Sequence, residues 1–547
     1  MNQKNLKEFV LWLGVVILSF LVYLSFLQPQ KSDDSHFVSS GIPNAVKLSP
    51  VLANKAFDDS IWFHPLDFFD LPEFPSTAKA GEMVLGFPSK KDLDRFLDAA
   101  EGKGVSILGS IPELGLARVS LNNLPGLAEL ASELPDSQDA SLNYWVNAPS
   151  PAVPLDGSEA RSFGDQALEW LGVPVSNKDW GQGVGVAILD TGVWTQHPAF
   201  EGAKITQIDL LEPEQSIPGE YDGHGTAVAS LIAGNLPSQR GIAPAAEIIS
   251  VRVLDGEGRG DTFTLAQGIV TSVDRGAKVL SLSLGGGGDS LVLRRAVDYA
   301  LEQGAVIVAS AGNDGEGRVT YPAAYSDVIG VSAVDAQRKL AGFSNTGEGV
   351  DLAAPGIGLK SAWVGGQNVS FSGTSASAPL VAGAVAGILS KEPRLSSSEV
   401  YDLLAMYADD GYGAGKDINV GHGVLNVERV LERNQHGVYD LAVGGFHFSP
   451  LSSATSNKSF AINVQNRGNE WIRGATLDLD VEGKSKRFYL GSMKPGEVLT
   501  SDWFLTPDQI LNEKGTLIKA RVTPDGHRDA RSENDTWTSR MILPASF

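Results

Sequence analysis

The chain of 547 residues contains no cysteine, and this absence excludes disulfides, thiol nucleophiles, cysteine-ligated zinc and iron–sulfur clusters. Histidine is scarce, with eight residues, so any histidine chemistry must come from a short list. Lysine and arginine number 43 against 65 aspartates and glutamates, a formal charge of −22. Because nucleic-acid binding needs basic surface patches, this acidity argues against a nucleic-acid partner. Apolar residues make up 42%, which is ordinary globular composition and excludes wholesale disorder.

One long uncharged run, FVLWLGVVILSFLVYLSFL, occupies residues 9–27. As a helix it nearly spans a hydrocarbon core of about 30 Å. A cleaved signal peptide is the alternative, but its apolar core is usually shorter, and no small-residue cleavage site follows the run here. Lys4 and Lys7 precede the run and favour an N-terminus inside. We therefore expect a single-pass membrane protein with a cytoplasmic segment 1–8, a transmembrane signal anchor 9–27 and the remainder periplasmic or extracellular, with release after processing left open.

The rest of the chain divides into four segments. Residues 28–80 are rich in Pro, Asp and Phe without periodicity and predict a stalk. Residues 81–149 follow the order β-α-β-β-α-β, which predicts a small α+β ferredoxin-like sandwich. In 150–436 strand-like apolar runs alternate with helical stretches, which predicts an α/β domain with a mostly parallel sheet. Residues 437–547 contain seven short strand patterns, which predict an all-β sandwich of immunoglobulin type.

Four motifs in the α/β domain stand at strand ends or helix starts: VGVAILDTGVW with Asp190, YDGHGTAVAS with His224, VASAGNDG with Asn313 and FSGTSASAP with Ser375. Peptide hydrolysis by serine needs a hydroxyl, a base, a carboxylate that orients the base, and donors for the oxyanion. Each residue alone also fits a structural role, as a turn residue, a helix cap or an N-cap. The four extended motifs together, in the order Asp, His, Asn, Ser, favour catalysis.

The strings DTG, GHGTAVA, AGN and GTSASAP resemble the subtilisin-like serine proteases over roughly residues 164–430. The resemblance implies a subtilisin-like serine endopeptidase that acts on extended polypeptide substrates through an acyl-enzyme. It implies Asp190, His224 and Ser375 as the catalytic triad. The side-chain amide of Asn313 and the backbone N–H of Ser375 would bind the oxyanion.

The same resemblance implies two segments that flank an extended substrate and a pocket for the residue before the scissile bond. Thr320 corresponds to the base of that pocket, where glycine is common, so its side chain predicts a short pocket for small to medium apolar residues. The implied substrate-binding residues are Gly258, Arg259 and Gly260 on one edge, Ser283, Leu284 and Gly285 on the other, and Ser310, Ala311, Gly312 and Thr320 around the pocket.

No cofactor is expected for this chemistry. Many relatives place a calcium-ligating carboxylate two residues after the His-Pro that follows the catalytic Asp, and here that position is Ala199. The loop NLPSQR after the His224 helix also lacks a cluster of Asp and Asn, whereas calcium prefers six to eight oxygens with several carboxylates. The usual calcium site is therefore expected to be absent, and weaker sites such as the acidic loop 255–261 stay open.

The flanking modules carry resemblances of their own. Residues 81–149 are similar to the inhibitory propeptides of subtilisin-like enzymes, which implies a partner within the chain and self-cleavage in the linker 147–163; a permanent N-terminal domain is the alternative. The C-terminal sandwich resembles a bacterial adhesion-related, CARDB-like module and could bind or act as a spacer. The alternative for the whole chain is a catalytically inactive surface-binding protein on a subtilisin-like scaffold.

Overall fold

A computed structural model describes residues 76–133, 139–149, 162–212, 218–448, 459–504 and 516–541. All of them lie in one of two compact units of the chain, Asp59–Phe547. Within these ranges no helix is long and apolar enough to cross a membrane. The prediction of a single-pass membrane location is wrong on this finding, because the longest apolar helix, Thr374–Lys391, is instead buried inside the protein over most of its length. The run 9–27 that led to the prediction lies outside the described residues.

The described residues from 76 to 149, called the N-terminal unit below, have the predicted order of strands and helices. Its sheet is antiparallel, with the strand order β4-β1-β3-β2, and the apolar faces of both helices contribute to one buried cluster. Ser89 caps α1 by accepting a hydrogen bond from the backbone of Asp92, and Leu93, Phe96 and Ala100 form the buried stripe expected of an amphipathic helix. The elements are β1 Ala78–Gly86, α1 Lys90–Gly102, β2 Ile107–Ile111, β3 Leu116–Ser120, α2 Leu124–Glu133 and β4 Asp139–Asn147.

The first strand, β1, begins inside the segment that we predicted as a stalk. Ala78 pairs with Tyr144 of β4, and the register shifts between Ala78 and Met83. The residues Lys79–Glu82 near its start are exposed or half-buried and include no large apolar side chain, so they show no alternation in the sequence. The N-terminal unit therefore starts a few residues earlier than the pattern indicates.

The α/β domain is built on seven parallel strands in the order β14-β13-β12-β11-β5-β9-β6, which confirms the predicted fold class. Both faces of the sheet are covered, so its central strands are nearly continuous apolar runs. Alternate residues of β5 enter different cores: Val186 and Ile188 pack on one side, Ala187 and Leu189 on the other. The sheet strands are β5 Gly185–Asp190, β6 Lys204–Asp209, β9 Glu247–Arg252, β11 Ala277–Leu282, β12 Val306–Ser310, β13 Ile329–Val334 and β14 Leu352–Pro355.

Helices cover the two faces of this sheet in pairs. The helices α4 and α7 pack on the face of Val186, and α5 and α6 pack on the face of Ala187. Three small ladders complete the domain: β7 Asn235–Leu236 with β8 Gln239–Arg240, β15 Leu359–Ala362 with β16 Asn368–Phe371, and the single strand β10 Arg259–Asp261, which pairs with β4. The helices are α3 Ala167–Trp170, α4 His224–Ala233, α5 Thr262–Asp274, α6 Leu291–Glu302, α7 Thr374–Lys391, α8 Ser397–Met406 and α9 Val427–Glu432.

The C-terminal domain consists of two antiparallel sheets, β17-β18-β21 and β20-β19-β22-β23, packed around one apolar core. Strands β19 and β22 alternate between buried and exposed residues, as a strand with one core face does. The seven predicted strand patterns correspond to these seven described strands: β17 Leu441–Phe448, β18 Ser459–Asn466, β19 Ala475–Val481, β20 Lys484–Leu490, β21 Val498–Phe504, β22 Thr516–Pro524 and β23 Thr536–Met541.

A buried charged cluster joins the sandwich to the α/β domain. Asp409 is 2% exposed and forms ion pairs with Arg338 at 2.6 Å, Arg467 at 3.1 Å and Arg429 at 3.4 Å. Arg467 lies in the sandwich, and its carbonyl oxygen accepts a hydrogen bond from the Nε of Arg429 at 3.0 Å. Burial would raise the pKa of Asp409, but the three guanidinium groups hold it well below its usual range. The sandwich is thus fixed to the α/β domain by desolvated charges.

Candidate active site

Asp190 and His224 form a buried pair at the carboxyl edge of the parallel sheet. Asp190 is the last residue of β5, and His224 is the first residue of α4. The His224 Nδ1 lies 2.9 Å from each carboxylate oxygen of Asp190. The carboxylate is fixed further by the backbone N–H of Thr191, which donates to its Oδ1 at 2.7 Å. This arrangement orients the imidazole with Nδ1 on the carboxylate and Nε2 on the opposite side of the ring.

The close approach of α4 to β5 depends on Gly225. A Cβ at this position would lie 2.4 Å from the carbonyl oxygen of Gly192 and 3.1 Å from the side chain of Asp190. Contacts below 3.0 Å force a shift of the backbone, so only glycine lets the helix start so near the strand. Gly225 is a residue to which the sequence analysis assigned no role, although its position directly after the histidine in GHGTAVA could have indicated it.

The second ring nitrogen of His224 and the hydroxyl of Ser375 are both buried. The ring packs edge-on against Phe371, with centroids 5.3 Å apart. Within the described residues neither His224 Nε2 nor Ser375 Oγ has a hydrogen-bond partner, although both atoms are buried. Leaving a buried polar group without a hydrogen bond costs about 1–3 kcal/mol. These two unpaired atoms are therefore consistent with a functional role. A base and a nucleophilic hydroxyl would gain hydrogen-bond partners when a substrate binds.

Ser375 lies in the first turn of the long helix α7, where backbone N–H groups have no partner within the helix. Its carbonyl oxygen accepts a hydrogen bond from Ser283 Oγ at 3.1 Å, which ties the turn to the segment after β11. The preceding Gly373 has φ of 133°, a value that favours glycine. A Cβ there would also lie 2.7 Å from the Nδ2 of Asn313.

Asn313 is oriented by Thr374, the residue just before the serine. The Asn313 Oδ1 accepts hydrogen bonds from the Thr374 backbone N–H at 2.9 Å and from its hydroxyl at 2.8 Å. The hydroxyl oxygen of Thr374 in turn accepts from the backbone N–H of Gly312 at 3.2 Å. With its oxygen held by Thr374, the amide presents its nitrogen toward Gly373, beside Ser375. Thr374 is a positioning residue that the sequence analysis quoted within GTSASAP but did not single out.

The two predicted substrate edges flank the end of β4 and the residue after it. Strand β10 pairs antiparallel with β4, with Arg259 opposite Asn147 and Gly260 opposite Val146. The carbonyl oxygen of Gly258 accepts from the backbone N–H of Ala148 at 2.7 Å. On the other side, Asn147 and Gly285 exchange both backbone hydrogen bonds at 2.9 Å. The chain's own residues 145–148 therefore occupy the groove between these edges as an extended strand.

A cavity of about 510 Å³ opens beside this strand. Thr320 lies directly against Gly285 at one wall of the cavity, since a Cβ on Gly285 would lie 2.3 Å from the Thr320 Oγ1. Gly286 and Tyr321 exchange backbone hydrogen bonds at 2.9 Å and join the two walls. Among the predicted pocket residues, Leu284, Ala311, Ser283 and Ser310 are fully buried and do not line the cavity. Its walls include Gly285, Gly286, Gly312, Val319 and Thr320, together with the charged residues Glu257, Arg259, Asp314, Glu316 and Arg318.

The two places where relatives carry calcium ligands are position 199 and the loop after α4. Ala199 is fully buried in a short 3-10 turn, so its position offers a methyl group where a carboxylate would be needed. The loop after α4 folds as the hairpin β7–β8. In the part of the chain that the structure describes, no group of three or more His, Cys, Asp or Glu side chains could hold a metal ion.

Comparisons with known proteins identify relatives of the α/β domain. The model of the Subtilase family of peptidases matches residues 181–423. Thermitase from Thermoactinomyces vulgaris is 41% identical over 238 residues, which cover 43% of this chain and 84% of thermitase. Subtilisin Savinase from Lederbergia lenta is 36% identical over 255 residues, which cover 45% of this chain and 90% of that protein.

A solved structure extends the likeness in fold beyond the α/β domain. Fervidolysin from Fervidobacterium pennivorans, described as a keratinolytic enzyme related to subtilisin, superposes with a TM-score of 0.56 at 20% identity. The match covers 85% of this chain and 91% of that one, and at this identity it shows the fold alone. Taken with the sequence matches, the chain belongs to the subtilase family. It is a subtilisin-like serine endopeptidase, which confirms the predicted enzyme class.

Proposed function

We propose that Ser375 attacks the peptide carbonyl, that His224 Nε2 takes the proton of the Ser375 hydroxyl, and that Asp190 stabilises the resulting imidazolium. The proton passes from His224 to the leaving amine as the C–N bond breaks, and water then releases the acyl group from Ser375 by the same route. The observation that carries this assignment is the buried pair in which Nδ1 of His224 lies 2.9 Å from both oxygens of Asp190. The unpaired Nε2 of the same ring supports it.

The negative charge that develops on the carbonyl oxygen would be bound by two donors. One is the side-chain amide of Asn313, oriented by Thr374, and the other is the backbone N–H of Ser375 at the positive end of α7. Removing one such donor typically costs about 10²–10³ in turnover. We therefore expect Asn313→Ala to lower kcat by about that factor with little change in KM. A large rise in KM with unchanged kcat would contradict an oxyanion role.

The substrate would bind as an extended strand between Gly258–Gly260 and Ser283–Gly285, held by main-chain hydrogen bonds. The strand 145–148 supports this proposal, since it already makes such bonds to Gly258 and Gly285. The pocket walled by Ser310–Gly312 and limited by Thr320 would accept a small to medium apolar side chain before the scissile bond. A peptide-library profile dominated by Arg or Lys at that position would refute this specificity.

The unit 81–149 is proposed to be an inhibitor-like propeptide of a self-processing precursor. Its last described residues lie in the substrate groove, and the chain is held again at Ser162, whose hydroxyl donates to the carbonyl oxygen of Gly358 at 2.9 Å. Cleavage within 147–163 would separate a catalytic domain of 150–436 from its inhibitor. For 437–547 we propose a CARDB-like immunoglobulin-type module that stabilises the catalytic domain, which the buried contacts of Arg467 support.

The test compares the parent chain with Ser375→Ala and with Ser390→Ala, which removes a hydroxyl at the other end of the same helix. We expect the parent and Ser390→Ala to yield a shorter product that reacts with a serine-directed phosphonate, and Ser375→Ala to stay full-length and unlabelled. N-terminal sequencing of the product locates the cut. Identical full-length migration of the parent and Ser375→Ala would refute self-processing. A processed parent that does not label would favour the inactive binding protein.

A further inference from the structure

We propose that Asp261 forms a cation-binding subsite at one end of the substrate groove, which selects polypeptides with Lys or Arg at the position now occupied by Trp145. This inference rests on the proposed function, in which the unit 81–149 is removed and a substrate strand takes the place of its tail. It assigns a charge preference to one position of the groove, beside the main-chain hydrogen bonds that hold the strand 145–148.

The carboxylate of Asp261 is held in a fixed orientation. Its Oδ1 caps α5 by accepting from the backbone N–H of Thr264 at 2.8 Å. Its Oδ2 lies 3.0 Å from Lys79 Nζ and 3.5 Å from Arg118 NH1, and the residue is 2% exposed. Burial would raise the pKa of Asp261, but Lys79, the amide of Thr264 and Arg118 together lower it. The group is therefore ionised in the intact chain.

Both cations at Asp261 belong to the N-terminal unit. Lys79 lies on β1 and Arg118 on β3, whereas Asp261 ends β10 of the catalytic domain. Removal of the unit takes away both charges and the cover over Oδ2, while the cap to Thr264 lies within α5 and remains. The mature enzyme would then present an oriented, uncompensated carboxylate oxygen beside its substrate. Such a group favours a cation on the ligand over a neutral or anionic side chain.

The strand register identifies the substrate position that faces this carboxylate. Asp261 is paired with Trp145, two residues before the Asn147 that pairs with Arg259. Side chains directly opposite each other in antiparallel strands have Cβ atoms about 4.5–5.5 Å apart, which is within reach of a lysine or arginine head group. Lys79 Nζ already lies 5.4 Å from the centre of the Trp145 ring, so a cation occupies the space next to that side chain.

The experiment uses the processed enzyme and synthetic peptides with the sequence of residues 141–156, carrying Trp145→Lys, Trp145→Gln or Trp145→Glu. We expect kcat/KM of the parent to be about three- to tenfold higher for the Lys peptide than for the Glu peptide at low salt, and the ratio to fall at 1 M salt. Asp261→Asn retains an oxygen that can cap α5, and it should bring the ratio close to one.

Asp274→Asn serves as the matched control, because it removes the same charge at the opposite end of α5. Over 13 residues a helix is about 20 Å long, well beyond the screening length of about 8 Å at physiological salt, so this variant should keep the parent's ratio.

Hydrolysis of casein by the parent tests the proposed endopeptidase function separately from the Asp261 subsite. If the parent hydrolyses casein but cleaves the three peptides equally well, the subsite is refuted and the proposed function stands. If Asp261→Asn lowers kcat/KM equally for all three, Asp261 only caps the helix, and the subsite is again refuted. If the processed parent does not hydrolyse casein, both proposals fail.

Discussion

Replacing Asp409 by asparagine tests whether contacts with the sandwich contribute to the free energy of unfolding of the protease. The substitution keeps the size of the side chain and removes its charge from the centre of the cluster that joins the two domains. The carboxylate now faces Arg338, Arg429 and Arg467, and it also accepts from the Asn426 amide at 3.1 Å. Because Arg467 belongs to the sandwich, a loss of this charge weakens the joint between the domains as well as the catalytic domain itself.

The magnitude follows from the burial of the partners. Arg429 and Arg467 are 3% and 5% exposed, so Asp409→Asn leaves two guanidinium groups desolvated without their counter-charge. Removing one partner from a buried ion pair costs about 3–5 kcal/mol. The side chain of Arg338 is 31% exposed and adds little, since water screens it. A carboxyl whose pKa is lowered in the folded state stabilises it above its unfolded pKa near 3.9, so the full effect is expected at pH 6–8.

The assay is unfolding by guanidinium chloride, followed by tryptophan fluorescence and circular dichroism in a Ser375→Ala background that prevents self-digestion. We expect the free energy of unfolding to fall by about 3–5 kcal/mol in Asp409→Asn. The control is Asp478→Asn, which breaks the exposed pair of Asp478 with Arg487 on the sandwich and should cost less than about 1 kcal/mol. If Asp409→Asn costs no more than Asp478→Asn, the reasoning about the buried cluster is refuted.

Three further predictions concern the site and the joint. Gly225→Ala should lower kcat/KM by at least about 10²-fold and stability by about 1–3 kcal/mol, because its Cβ would meet Gly192 at 2.4 Å; Gly317→Ala, with open space around it, should match the parent in both assays. Thr320→Gly should deepen the pocket and raise kcat/KM for Phe relative to Ala before the scissile bond by about tenfold, and an unchanged ratio would exclude Thr320 as the limit. Burial raises the pKa of Asp410 to about 7, so the folded state binds a proton that the unfolded state lacks between about pH 4 and 7, and stability should fall as pH rises through that window. Asp410→Asn should make this slope smaller in unfolding curves measured at pH 5 and pH 8, while Asp535, whose pKa is also raised to about 7, maintains part of it. A slope in Asp410→Asn equal to that of the parent would contradict the raised pKa of Asp410.

The order of elements was largely predictable from the sequence because it depends on local periodicity and on motif strings. The β-α-β-β-α-β order, the parallel sheet and the seven strands of the sandwich all follow from such patterns. The position of β1 was less predictable, because its first residues carry no large apolar side chain and Ala78 pairs with Tyr144 only in the folded chain. The membrane location was predicted from one apolar run, and local composition alone did not provide a sound basis for it.

The candidate active site likewise has features that motifs predict and features that depend on tertiary contacts. Asp190, His224, Asn313 and Ser375 could be chosen from motif strings, since each string is typical of a strand end or a helix start. The contact of Asp190 with His224, the hydrogen bonds of Asn313 to Thr374 and the close approach at Gly225 depend on residues brought together by the sheet. Leu284 and Ala311 show the limit of transferring a motif, because their side chains are buried in the core and neither residue lines the cavity.

The sequence by itself determined the chemistry available to this protein. The absence of cysteine excludes a thiol nucleophile, and among eight histidines only His224 lies in a motif that indicates a base. Only the tertiary structure decided what those groups face: the tail 145–148 in the groove, Lys79 and Arg118 on Asp261, and Arg467 on Asp409. The reason is physical, because residue type and spacing fix local conformation, whereas the pairing of charges and strands far apart in the chain is set by the packing of whole domains.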